Sequence, residues 1–556
     1  MKHLLKSFAL AISSILMFAQ CTPTPTSEAN YDVIPMPQTI SIDEAGAPFV
    51  LHSGTVISYT SANEDMQRNA QFLQDYLATQ LGYRLKAVAG TSDKGFVLQL
   101  NEGEASEAYT ITVDSKRVLV ESTTPAGIFY GIQTIRKSLP VEQNAVVAMP
   151  SGTIEDAPRF DYRGAHLDVC RHFFPIDSVK TYIDMLALHN MNKFHWHLTE
   201  DQGWRIEIKK YPKLTEVGSV RCGTMIMKDW DSCDSIPYGG FFTQEEAREI
   251  VKYAADRYIT VIPEVDMPGH MVAAITSYPE LGCTGGPYEV RTTWGVSEEL
   301  LCAGNDKVYD FIDDVLDEIM DIFPSKDIHI GGDECPKTEW EKCPKCQAKI
   351  KELGLKKDDK YTAEQKLQAY FTKHVDEYLT SKGRNAIGWD EILEGGVSEN
   401  ATIMSWRGEQ GGVEAAQLHH RVIMTPNSYL YFDYYQSKDR ENEPFAIGGF
   451  LPIKHVYNYE PLPASLSPAE QKYIWGVQAN LWTEYMHTFS HVLYMFLPRG
   501  AALAECQWTQ PEKKDYEKFK NERLPRLLKI YDLLGYNYSR RIYIDKDEES
   551  DLNFGW

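Results

Sequence analysis

From about residue 158 the chain alternates short apolar runs with longer stretches whose apolar residues recur three and four positions apart. The runs 162–169, 193–198, 259–265 and 328–331 read as buried parallel strands, and so do 386–389, 402–406, 421–424 and 475–481. Between them lie amphipathic helices. One is predicted over 245–257, behind a capping box of Thr243 and Glu246. A second, over 307–322, keeps Val308, Phe311, Ile312, Val315, Leu316 and Ile319 on one face. A third starts at the capping box Thr362 and Gln365 and stops at Gly383. About eight strand-then-helix units in one stretch predict an α/β fold, a (β/α)8 TIM barrel, with its chemistry at the carboxyl ends of the strands.

The stretch 31–150 reads differently. Strand-like runs at 96–100, 109–113 and 117–120 accompany helical periodicity at 65–79 and 126–139, which predicts a small α+β domain ahead of the barrel. It carries no paired-carboxylate signature and no nucleotide loop, so a supporting role is expected. Residues 1–21 combine Lys2 and Lys6 with an apolar run at 8–19, too short to span a bilayer, and end at Cys21. That arrangement reads as a bacterial lipoprotein signal with Cys21 lipidated; the plainer alternative is a secretory signal with an incidental cysteine. The expected location is outside the cytoplasm, as a periplasmic or cell-surface outer-membrane lipoprotein, touching the membrane only through that anchor. The Pro- and Thr-rich residues after Cys21 read as an extended tether. The expected division is signal 1–21, tether 22–30, accessory domain 31–150, catalytic barrel 151–545 and tail 546–556.

Composition narrows the chemistry. With 56 Lys and Arg against 79 Asp and Glu, the net charge of −23 excludes an electrostatic nucleic-acid surface. The 32 Tyr and 11 Trp favour sugar binding, because the C–H faces of a pyranose stack on flat apolar rings. Export permits disulfides among the cysteines beyond Cys21. Cys283 with Cys302 is the expected pair, and Cys222 with Cys233 a second. Cys335, Cys343 and Cys346 cluster in sequence, and Cys343-Pro-Lys-Cys346 resembles half a zinc knuckle. Three local thiols fall short of the four ligands of a structural zinc site, so the expectation is structural thiols and no metal.

The strand exits carry the candidate chemistry. The fourth exits as His329-Ile-Gly-Gly-Asp333-Glu334, two adjacent acids beside glycines that admit a ligand to the backbone. Environment can separate such a pair in pKa, leaving one protonated and one charged; the plain alternative is two carboxylates splayed toward solvent. The third exit, Pro263-Glu-Val-Asp266-Met-Pro-Gly-His270, ends in a histidine placed to hydrogen-bond a catalytic acid. The second carries His195-Trp-His197 and Glu200; an H-x-H pair on a strand turns both rings to one face, a metal-ligand geometry. A metal-dependent hydrolase built on His195, His197 and His270 is the competing reading, against rings simply packed inside the barrel. The later exits offer Trp389-Asp390-Glu391, Trp406-Arg407, Tyr431-Phe-Asp433 and Trp482-Thr-Glu484, an aromatic usually beside an acid. The first offers Asp168-Val-Cys-Arg171-His172, with Arg171 placed to donate to vicinal hydroxyls.

These stretches resemble the family-20 glycoside hydrolases, the exo-β-N-acetylhexosaminidases. The likeness covers nearly the whole mature chain and rests on RGAHLDVCRHF (163–173), NKFHWHLTEDQGWRIEI (192–208), PEVDMPGH (263–270), HIGGDE (329–334), GWDE (388–391), YFDYY (431–435) and NLWTEY (480–485). The resemblance implies removal of terminal β-linked GlcNAc or GalNAc from glycans by a retaining mechanism in which the substrate's acetamido oxygen is the nucleophile. It implies Glu334 as general acid and base, Asp333 orienting the acetamido nitrogen, and Tyr431 holding the acetamido oxygen. It implies Trp389, Trp406 and Trp482 enclosing the methyl group and ring, and Arg171, Asp433 and Glu484 binding the outward hydroxyls. His270 would sit behind Glu334 and connect to Glu200. No cofactor is implied. Two departures stand out: Glu200 replaces an Asp of many members, and Tyr459 stands where some carry a Trp at the aglycone side. A glycan-binding lipoprotein without turnover is the non-enzymatic alternative, and the residues leave oligomeric state open.

Overall fold

The computed structural model describes residues 23–60 and 63–545. The expected signal 1–21 with Cys21 and the tail 546–556 lie outside the described residues. Eight parallel strands close a barrel in sequence order: Tyr162–Asp168, Lys193–His197, Thr260–Glu264, Asp327–His329, Asn385–Trp389, Thr402–Ser405, Val422–Met424 and Ile474–Ala479. All seven residues of the first strand are buried, as expected for strands covered on both faces. The connecting helices follow local rules. Thr243 and Glu246 make the reciprocal capping box of helix Gln244–Ala255, and Thr362 with Gln365 does the same for Ala363–Ser381. The helix Asp306–Ile322 buries the predicted apolar stripe against the barrel.

The accessory domain is a seven-stranded sheet running Thr39–Ile42, Gly152–Asp156, Tyr109–Val113, Arg117–Ser122, Gly95–Leu100, Val56–Tyr59 and Lys86–Ala89. Helices Glu64–Leu81 and Pro125–Ser138 pack together against it. Two expected boundaries move. The division at 150/151 falls short, because Gly152–Asp156 pairs with both Thr39–Ile42 and Tyr109–Val113 inside this sheet. The tether over 22–30 is shorter than expected: Ser27–Glu28 pairs in parallel with Val147 and Ala148, and Ala29 is buried in the core.

The two domains join at the amino end of the barrel. Arg163, near the start of the first strand and fully buried, donates to Glu107 Oε2 at 2.8 Å, Tyr130 Oη at 2.9 Å and the carbonyls of Phe160 and Asn190 at 2.9 Å. Nearby, the Trp508 indole N–H sits 3.0 Å from both oxygens of Asp156. Each nitrogen of this buried guanidinium thus finds an acceptor, which burial of a charge demands. Docking at the amino ends leaves the carboxyl ends at the opposite side of the barrel. One further expectation is corrected: all nine described cysteines carry free thiols, so neither Cys283 with Cys302 nor Cys222 with Cys233 forms a disulfide. The Cys233 sulfur lies 4.0 Å from Ser235 Oγ, and Cys283 and Cys302 stand in a larger group of thiols taken up below.

Candidate active site

The fourth strand ends at His329, and the backbone then turns through positive φ at Gly331 (+65°), Gly332 (+98°) and Glu334 (+43°). The turn buries Asp333 and leaves Glu334 open to solvent. A Cβ on Gly331 would meet Asp266 Oδ1 at 1.7 Å, so glycine is required for that approach. His270, also in the left-handed region at φ +53°, places Nε2 3.7 Å from Asp333 Oδ2 and 3.6 Å from Glu334 Oε2. At those separations the contacts are electrostatic rather than hydrogen bonds. Its other nitrogen, Nδ1, is 2.7 Å from Glu200 Oε1. The longer Glu200 side chain therefore reaches His270 directly. Glu200 also receives Arg171 Nη2 at 3.0 Å and His197 Nε2 at 3.2 Å.

Electrostatics sort these groups. Burial alone would lower the His270 pKa, but the charge and hydrogen bond of Glu200 raise it well above the ordinary value, which favours the imidazolium form. Burial would raise Glu200, yet Arg171 and His270 hold it well below the carboxylate range. Asp333 is pushed well up by burial and by the neighbouring Asp266. Glu334 is also pulled up by burial, but His270 and Arg171 outweigh this and set it below its usual value. In the free site the buried acid favours its proton and the open one its charge.

The later exits converge on one aromatic wall. Tyr431 stacks on Trp406 with ring centroids 6.0 Å apart and planes 14° from parallel. Trp482 lies 6.5 Å from Tyr431 and 5.9 Å from Trp389. The Arg171 guanidinium rests 5.1 Å above Trp482, joining the wall to the charged groups. Asp433 and Glu484 are buried beside each other; burial raises both pKa values, and their mutual charge raises Asp433 further while Arg171 restrains Glu484. Tyr459 is a different case. It is buried, stacked 4.6 Å from Tyr429, with its hydroxyl toward Glu409, and offers no exposed platform.

His195 and His197 point inside the barrel, where Glu264 gathers them. Glu264 Oε2 lies 2.5 Å from His197 Nδ1 and 3.0 Å from His195 Nε2. Its Oε1 accepts the Trp389 indole N–H at 3.0 Å and lies 2.9 Å from His329 Nδ1. Burial would raise Glu264, but the surrounding rings hold it well below the carboxylate range, while burial lowers His195 to about 4. His197 meets His270 only through Glu200, whose two oxygens they share.

Several contributors escaped the sequence reading. Glu264 reads as part of a strand exit, yet it organises the barrel interior. Asp168 Oδ2 pairs with Arg171 Nη1 at 3.3 Å, and Gln202 Oε1 accepts from Arg171 Nε at 3.1 Å. Glu391 accepts the Trp406 indole N–H at 2.9 Å. Asn480 is bridged to Tyr431 through the backbone across the seventh and eighth exits. The available signal was an acid or amide beside each recognised residue within a buried run.

Residues 160–511 match the family described as glycosyl hydrolase family 20, catalytic domain, and residues 30–157 match its domain 2. A beta-hexosaminidase of Porphyromonas gingivalis is 42% identical over 96% of this chain and 68% of its own length. One from Vibrio furnissii is 36% identical over 86% of this chain and 77% of its own. Among solved structures, a GH20 beta-N-acetylhexosaminidase from Streptomyces coelicolor superposes with a TM-score of 0.79 at 31% identity, covering 93% of this chain and 99% of that one.

Proposed function

The chain belongs to glycosyl hydrolase family 20 as a beta-hexosaminidase, and on that premise we propose that it removes terminal β-linked GlcNAc or GalNAc from glycans by substrate-assisted, retaining hydrolysis. The observation that carries this reading is His270 bridging Asp333 and Glu334 at the mouth of an aromatic pocket. In the proposed reaction the acetamido oxygen attacks the anomeric carbon as the bond to the aglycone oxygen breaks. Glu334 gives its proton to that oxygen. Asp333 accepts a hydrogen bond from the acetamido N–H and stabilises the positive charge of the oxazolinium ion. Tyr431 donates to the acetamido oxygen. Water then opens the ring at the anomeric carbon, with Glu334 taking the water's proton.

Occupancy reverses the proton preference of the free site. An amide N–H donated to Asp333 favours its charged form, while an aglycone over Glu334 strips away water and favours its neutral one. The His270 imidazolium faces both acids and stabilises whichever of them carries the charge. Arg171, Asp433 and Glu484 would grip the hydroxyls away from the scissile bond and close the pocket to internal sugars. Against the metal-hydrolase alternative, His195 and His197 turn nitrogens to Glu264 inside the barrel, whereas His270 turns Nδ1 to Glu200 and Nε2 to Asp333 and Glu334.

A chromogenic β-GlcNAc substrate should be hydrolysed and the matching β-glucoside hardly at all, since only the former carries the internal nucleophile. Comparable cleavage of both sinks the mechanism, and colour from neither leaves a binding protein. The rate in a short assay with chelator should be unchanged; immediate loss would restore the metal reading. We further propose export with lipidation at Cys21.

A further inference from the structure

Four cysteines outside the sugar site meet beside the carboxyl end of the barrel. Cys283 and Cys302 belong to the loop after the third strand; Cys343 and Cys346 belong to the loop after the fourth, at the start of helix Pro344–Glu352. Their sulfurs all lie within 4.8 Å of one another. The Cys302 sulfur is 3.6 Å from those of Cys343 and Cys346, and Cys283 is 4.0 Å from Cys346. A disulfide requires about 2.05 Å. Four sulfurs held tetrahedrally at about 2.3 Å from zinc stand about 3.8 Å apart. The observed separations bracket that edge length.

The backbone is shaped to bring the two pairs together. An antiparallel bridge between Gly282 and Leu301 sets Cys283 and Cys302 diagonally across from each other on one face of the two segments. A Cβ on Gly304 would fall 2.2 Å from the carbonyl carbon of Lys345 and 2.3 Å from the nitrogen of Cys346, so only glycine lets the loops close. The Trp340 indole N–H clamps the same junction by donating to the Leu301 carbonyl at 2.9 Å. Cys346 lies in the first helical turn, where the helix end favours negative charge. Cys302, Cys343 and Cys346 are buried. Cys335, which clusters with the last two in sequence, is not in the group.

We propose that Cys283, Cys302, Cys343 and Cys346 bind one zinc ion in a closed structural site that fastens the loop bearing His270 to the loop bearing Asp333 and Glu334. Each thiol gives up its proton on binding, with no change of oxidation state. Four protein ligands leave no position for water or substrate, so the ion positions the loops and takes no part in the sugar chemistry.

Elemental analysis of the full chain, purified without added metal, should find about one zinc per chain, and X-ray absorption should show an all-sulfur shell at about 2.3 Å. Cys302→Ser combined with Cys346→Ser should abolish that zinc, whereas Cys335→Ser should keep it. Where the double variant does not fold, titrating the wild-type chain with a thiol-blocking reagent still decides, because zinc should leave in proportion to the thiols modified. Long exposure to chelator should remove the zinc and lower the thermal midpoint, and added zinc should restore it. Peptide mapping that finds these four cysteines as disulfides overturns the proposal, and so does a folded chain with four free thiols that takes up no zinc.

Discussion

Glu334 holds φ at +43° in a region that non-glycine residues rarely occupy. The conformation lifts its carboxyl out of the turn that buries Asp333, so neighbours in sequence end in different surroundings. From those surroundings the proposed roles follow. Glu334→Gln should lower kcat by about 10² to 10⁴, least with an activated aryl leaving group that needs no proton; an equal loss for all leaving groups would remove Glu334 from the acid step. Asp266 supplies a second test. Burial pushes its carboxyl up to about 7. A group raised in the folded state binds more protons than the unfolded chain, so its contribution to stability falls as pH rises from about 4 to about 7. The thermal midpoint should therefore drop toward neutral pH, and Asp266→Asn should flatten that drop; an unchanged slope would count against the assignment. At this scale the adjacent acids, the exit histidine and the aromatics were legible because each announces itself in a short motif. Glu264 was not, since a carboxylate serving four buried partners looks in sequence like any acid near a strand end.

The turn after the fourth strand shows what an element contributes beyond its residues. Gly331→Ala places a methyl group onto Asp266, on top of about 1–2 kcal/mol for a left-handed backbone. It should lower both thermal stability and kcat, because the displaced turn carries Asp333. Gly535→Ala offers the contrast: φ is +70° there with nothing within 4 Å of the added carbon, so stability should fall by the backbone cost alone and kcat should hold. Equal effects of the two on kcat would deny the turn its positioning role. All eight barrel strands were readable as apolar runs, with ends displaced by one or two residues where a loop continues the apolar character. Gly152–Asp156 was missed because Gly, Thr, Glu and Asp read as loop, and its strand conformation comes from partners far along the chain. Ser27–Glu28 was missed because two residues show no alternation.

For the whole molecule, the order of strands predicted the barrel, but no local pattern told that the accessory sheet would be riveted beneath it by Arg163 and Trp508. Such contacts join residues far apart in sequence, and so do the four thiols, of which local spacing displays only the Cys343–Cys346 pair. The proposed anchor is tested at this scale: Cys21→Ser should move the protein from the membrane fraction to the soluble one without changing kcat, and retention in the membrane would discard it. The short strand at Ser27 gives that anchor a particular consequence. Six backbone steps of at most about 3.6 Å connect Cys21 to Ser27, a leash of about 22 Å at full stretch. The proposed leash would hold the accessory domain near the bilayer, on the far side of the barrel from its carboxyl ends. Were Cys21 lipidated as proposed, an enzyme so tightly moored, keel to the bilayer, would meet sugar chains that drift in from the surroundings more readily than the glycolipids of its own leaflet.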